Sequence, residues 1–149
     1  MHRFRPRYRG VAWTSIGIGG SLSVVSTVVG FVAVPLVAGA LGVLLGGAYL
    51  ASSTWQLRVV TDESGLEVGT NKRLRFRLAW SDVARVVVSP TTNTCFVDGG
   101  KPAVSLLVPG VGAPAPYDIE NRAALVATII EHVASEKIQT VETLESVRG

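Results

Sequence analysis

Hydrophobic positions are not spread evenly along the chain. From Gly10 to Leu57 there is no Asp, Glu, Lys, Arg or His, and Val, Leu, Ala and Gly saturate the run. About 18 to 25 charge-free residues cross a bilayer once, and this run is roughly twice that long. As one straight helix at ~1.5 Å per residue it would reach about 70 Å, against a hydrocarbon core of about 30 Å. It must fold back, and the simplest solution is two transmembrane helices in a tight hairpin over residues 11–56. The first is predicted from about Val11 to Val34 and the second from about Leu36 to Trp55, with Pro35 at the turn or first helical position. Trp13, Tyr49 and Trp55 stand near the outer ends of the spans, where amphipathic rings favour the headgroup level.

Small residues mark a packing face on each helix. Gly19, Ser23, Ser26, Thr27 and Gly30 fall close together on the first, and Ala38, Gly42 and Gly46 recur at four-residue spacing on the second. Such faces let backbones approach, which matters because lipid gives helices no hydrophobic reason to associate. They predict packing of the two helices within one chain, with a homodimer through Gly42 and Gly46 as the alternative. No ionisable residue lies inside either span, which argues against an ion pathway or proton relay.

After Trp55 the pattern changes to period two. Gln56–Thr61 and Leu66–Val68 read as strands around the turn residues Asp62-Glu63-Ser64-Gly65. Gly69-Thr70-Asn71 turns again. Leu74, Phe76, Leu78 and Trp80 then alternate with Arg73, Arg75, Arg77 and Ala79, predicting a strand with one apolar and one cationic face. Val83–Ser89, Thr94–Val97 and Ala103–Val108 follow as strands, with Asp98-Gly99-Gly100 as a hairpin turn. Pro109–Pro116 is a Gly/Pro-rich loop. Asp118 is a candidate N-cap for an amphipathic helix running to about Ser135, with Val126, Ile129, Ile130 and Val133 on one face. Residues 137–149 are expected to extend that helix or form a tail frayed past about 140.

Charge placement adds a topology. Arg3, Arg5, Arg7 and Arg9 precede the apolar run, Arg58, Lys72, Arg73, Arg75 and Arg77 follow it, and Gly30–Gly39 between is bare. Positive charge near membrane ends marks the cytoplasmic side. Two spans put both termini on one side, so a multi-pass protein of the inner or plasma membrane with both termini cytoplasmic is expected. Residues 1–10 then form a basic arm, disordered or lying on the headgroups, and the abutting span makes nucleic acid a poor explanation of its arginines. Ala38-Gly39-Ala40 resembles a signal-peptidase site, but the apolar stretch before Pro35 is longer than an h-region of about 7 to 15 residues, and a second apolar span follows. The lone Cys95 cannot form an internal disulfide, consistent with a reducing compartment.

No catalytic constellation stands out. The histidines, His2 and His132, are far from the cysteine in sequence, and Gly17-Ile18-Gly19-Gly20 lies inside a span rather than after a strand. No metal-ligand spacing, nucleophile elbow or phosphate loop is present, and no cofactor is called for.

Two segments carry a family resemblance. Leu57-Arg58-Val59-Val60-Thr61-Asp62-Glu63-Ser64-Gly65-Leu66-Glu67-Val68 resembles the opening hairpin of bacterial pleckstrin-homology-like (PH-like) domains. Arg75-Phe76-Arg77-Leu78-Ala79-Trp80-Ser81-Asp82-Val83-Ala84-Arg85-Val86 resembles their next strand and its Trp-Ser-Asp-Val turn. The resemblance covers about Gln56 to Val133 plus the helical anchor; Thr91–Gly100 carries no matching hallmark, and the Pro109–Pro116 loop is longer than the family pattern. It implies an α+β split β-barrel of about six or seven antiparallel strands over residues 57–136, capped by a C-terminal helix and preceded by the membrane α-hairpin.

The expected function is a membrane-anchored, non-catalytic binding or scaffolding module. Lys72, Arg73, Arg75 and Arg77 would contact anionic lipid headgroups or a membrane protein partner. The competing explanation of these residues is a solvated strand face. A small oligomeric transport or channel accessory subunit, with Ser23, Ser26 and Thr27 lining a path, is the alternative function.

Overall fold

The computed structural model of the chain describes residues 1–30, 32–111, 113 and 115–142. Two compact units result: Pro6–Ser53, and Met1–Arg5 together with the chain from Thr54 onward.

The first unit is a helical hairpin. Helix α1 spans Arg9–Val29 and α2 spans Ala33–Leu50, both long and apolar enough to cross a membrane. Helix α1 stops earlier than Val34 because Gly30 takes φ 130°, a conformation side chains disfavour. Phe31, expected within that helix, lies outside the described residues. Pro35 falls in the first turn of α2, where a missing N–H costs nothing. Helix α2 ends at Leu50, and Ser53–Gln56 forms a 3-10 turn where helix was expected.

Ala12, Gly19 and Ser26 are buried on α1, and Gly39 and Gly46 on α2. Their seven-residue spacing gives each helix one continuous seam. The closest approach is at Gly19 and Gly39, where a Cβ on either would sit 2.5 Å from the other's carbonyl oxygen. Away from the seam, Val24, Val28, Leu44 and Leu45 are each more than half exposed.

The second unit holds nine strands among the described residues. Strand β1, His2–Pro6, precedes the hairpin. After it come β2 (Arg58–Thr61), β3 (Gly65–Gly69), β4 (Leu74–Ala79), β5 (Arg85–Ser89), β6 (Thr94–Asp98), β7 (Leu106–Val108), β8 (Tyr117–Ile119), helix α3 (Arg122–His132) and β9 (Ile138–Thr140). One sheet has the order β4-β3-β2-β1-β8 and the other β7-β6-β5-β9.

Strand β1 corrects the expectation of disorder for the His2–Pro6 part of the basic arm. His2 and Phe4 are buried and Arg3 and Arg5 are exposed, the alternation of a half-buried strand. It lies between β2 and β8, with His2 opposite Val59 and Arg3 opposite Arg58. Phe4 N–H donates to Leu57 O at 3.0 Å and Glu120 N–H to Arg3 O at 2.9 Å. The helical hairpin is therefore inserted between two neighbouring antiparallel strands.

Other expectations are revised. The six strands read from sequence are present, and β1, β8 and β9 add to them. The sheets do not close into a barrel among the described residues, because a 3-10 turn at Trp80–Asp82 carries the chain from β4 to the second sheet without a shared ladder. Strand β9 pairs in parallel with β5, Ile138 opposite Val86, so not all pairs are antiparallel. It occupies part of the expected tail; residues 143–149 lie outside the described residues. Lys137 anchors its start, the ammonium donating to Ser81 O (3.2 Å) and Val83 O (2.9 Å).

Asp118 lies in β8 and does not cap α3. Asn121 begins that helix from the left-handed region (φ 51°), which asparagine tolerates well. Leu125 and Ile129 of α3 are fully buried with Val59, Leu66, Val86, Cys95, Val97 and Val108 in the core between the sheets and the helix.

Candidate functional site

The outer face of the five-stranded sheet carries the basic residues singled out by the sequence. Cross-strand register aligns Val60, Glu67 and Arg77 in one row, and Arg58, Gly69 and Leu74 in the next. A bulge between Val68 and Gly69 leaves Arg75 without a partner residue. The bulge also shifts the phase of the strand. Leu74, expected on the apolar face, is 55% exposed, whereas Phe76, Leu78 and Trp80 are buried.

Arg77 is not a free cation. It pairs with Glu67 at 2.9 Å and Asp62 at 3.5 Å, and donates to Ser64 Oγ at 2.7 Å. Asp62 organises the β2–β3 turn: its Oδ1 accepts from Ser64 Oγ (2.6 Å), Ser64 N–H (2.8 Å) and Gly65 N–H (2.9 Å). Those hydrogen bonds, the Ser64 hydroxyl first, hold its carboxyl below the usual value, with Arg77 adding to the effect. Trp80 Nε1 donates to Asp62 O at 2.9 Å and stacks on His132, ring centroids 5.2 Å apart, a contact sequence spacing gave no sign of.

Lys72 and Arg73 lie in the β3–β4 turn. Thr70 N–H donates to Arg73 O (2.8 Å), and Thr70 Oγ1 accepts from the N–H of Arg73 (3.1 Å) and Lys72 (3.4 Å). This turn and Arg58 border an open cleft of about 300 Å3. The neighbourhood of Arg58 depends on register, so the sequence shows only its place after the apolar run. The turn and Arg58 occupy the sheet end at which the chain leaves β1 and enters β2. The opposite end of β2–β3 carries the acidic turn Asp62-Glu63.

In the hairpin, Gly19, Gly42 and Gly46 line the contact between helices. A Cβ on Gly42 would lie 3.2 Å from Ser15 O, and one on Gly46 2.8 Å from Ala12 O. The face offered to a second copy in the homodimer alternative is thus taken by α1 of the same chain. Ser23 is half-buried at the seam, its Oγ donating to Gly19 O at 2.9 Å; Thr27 Oγ1 donates to Ser23 O at 2.8 Å. Gly30 caps α1 rather than packing, and Ala38 is exposed beside an apolar groove, its place on the seam taken by Gly39.

Cys95 is fully buried, and burial pushes its thiol up to about 12. Among the described residues no three His, Cys, Asp or Glu side chains converge on a point that could hold a metal. No family model, no curated protein and no solved structure matches this chain.

Proposed function

We propose that this chain is a bacterial plasma-membrane protein with two spans and a cytoplasmic PH-like domain. It acts by binding and not by catalysis, and the basic end of its five-stranded sheet contacts anionic headgroups. The observation that carries this is the pairing of β1 with β2 across the inserted hairpin. A sheet cannot hydrogen-bond through a bilayer, so strands flanking the hairpin belong on one side of it. The same register puts Arg3, Arg58, Lys72 and Arg73 at the sheet end where the chain departs for the apolar segment.

The exposed Val24, Val28, Leu44 and Leu45 support spanning, since a surface this apolar needs apolar surroundings. The bonding of Ser23 and Thr27 hydroxyls to carbonyls one turn back supports packing over a polar path. Two sheets closed by a late helix, with the Trp80-Ser81-Asp82-Val83 turn between them, support the PH-like reading.

Amide hydrogen exchange on the full chain in nanodiscs tests it. Anionic discs are expected to protect residues 58–77 more than neutral discs, with the difference lost at high salt. Equal protection in both overturns lipid contact and leaves a protein partner for the same face.

A further inference from the structure

The basic side chains of the sheet-bearing unit fall into two groups. Arg5, Arg77, Arg85 and Arg122 each hold a carboxylate. The seven other described ones, Arg3, Arg58, Lys72 and Arg73 among them, form no ion pair among the described residues. Four of that second group gather at one place. Arg3 and Arg58 stand directly opposite each other on adjacent strands, and Arg58 borders the cleft whose other wall is the Lys72-Arg73 turn. Like charges opposite each other destabilise a sheet unless something lies between them. The one acid of the cleft, Glu67, is occupied by Arg77.

A concave site with several cations and no free counter-charge is complementary to an anion, and guanidinium forks match the oxygens of phosphate. Thr70 holds the Lys72-Arg73 turn in place, so those two residues are presented on a fixed backbone. Arg58 is the first charge after the apolar run. We propose that the cleft between Arg58 and the Lys72-Arg73 turn binds the phosphate of an anionic phospholipid headgroup, with Arg3 adding charge. This rests on the membrane-anchored reading above.

The test is native mass spectrometry of the full chain in nonionic detergent, titrated with phosphatidylglycerol or phosphatidylcholine. Each cation near an anionic surface is worth about fivefold in affinity, so Arg58→Gln/Lys72→Gln/Arg73→Gln is expected to weaken phosphatidylglycerol binding by about a hundredfold. Lys72→Gln alone, at an exposed site, is expected to cost about fivefold without disturbing the fold. Arg85→Gln, on the other sheet, should change little. Loss of binding in Arg75→Gln/Arg77→Gln with the cleft variants unaffected overturns the cleft and leaves the broader reading standing. Equal binding of both lipids by the unaltered chain overturns both. Displacement of lipid by glycerol 3-phosphate or inorganic phosphate at matched concentration overturns the lipid source and makes this a soluble-phosphate site.

Discussion

Arg3 and Arg58 face each other across adjacent antiparallel strands, two guanidinium-bearing residues in direct register with no carboxylate between them among the described residues. Opposed like charges cost a sheet about 0.2–1 kcal/mol. Replacing either by Gln is therefore expected to raise the melting temperature of the full chain in nonionic detergent at low salt. The gain should shrink as salt screens the pair. A fall in stability would mean that Arg3 and Arg58 do not repel.

Strand β1 contributes Phe4, buried at 6% exposure with its ring 4.9 Å from that of Tyr117. Phe4→Ala is expected to cost about 3 kcal/mol in denaturant unfolding. Chains beginning at Gln56 lack the strand between β2 and β8, and their far-UV spectrum should report lost sheet.

The hairpin seam predicts opposite outcomes for two glycines on it and off it. Gly39→Leu drives a side chain into the Gly19 carbonyl and is expected to destabilise by about 1–3 kcal/mol in SDS titration of mixed micelles. A Cβ at Gly17 meets nothing within 4 Å. Gly17→Ala should be neutral or stabilising by up to about 1 kcal/mol, through helix propensity.

Acid should act on the β2–β3 turn. The Asp62 carboxyl is held below its ordinary value of 3.8, so it ionises more readily folded than unfolded. Its contribution is complete above the unfolded value and lost as pH falls through the lower, folded one. Asp62→Asn is expected to flatten the decline of stability between about pH 5 and pH 2, read by melting at each pH. An unchanged slope would show that the turn does not discriminate the ionised form.

Cys95 offers a probe of the core. With its thiol pushed up to about 12 and no exposure, it should resist a maleimide at pH 8 in the native chain and react once denaturant opens the domain. Native-state reaction would place Cys95 in contact with solvent.

Much of this was legible in the sequence because it is written locally. The charge-free run needs no partner to be recognised, and Phe76, Leu78 and Trp80 declare their strand by alternation. What escaped depends on what lies opposite. His2-Arg3-Phe4-Arg5 alternates just as a strand should, yet four arginines before an apolar run also make a topology signal, and only pairing with β2 separates the two. Arg77 looked like its neighbours until register set Glu67 beside it, and Leu74 left the apolar face because one extra residue changed the phase. The four-residue repeat Ala38, Gly42, Gly46 hid the seven-residue seam of Gly39 and Gly46, since a helix face read from one chain says nothing of the angle at which its mate arrives.

The insertion of the helices between β1 and β2 also sets an order of events during synthesis. His2–Pro6 leaves the ribosome before the apolar segment, but its ladder partner Arg58–Thr61 leaves after it. The early strand must wait, unpaired, while both helices are made. On the membrane-anchored proposal, sheet closure becomes a checkpoint on hairpin insertion: a chain whose flanking segments ended up on opposite sides of the bilayer could not complete its five-stranded sheet. Misinserted copies would thus display an unfinished domain, the kind of exposed strand edge that quality-control proteases recognise.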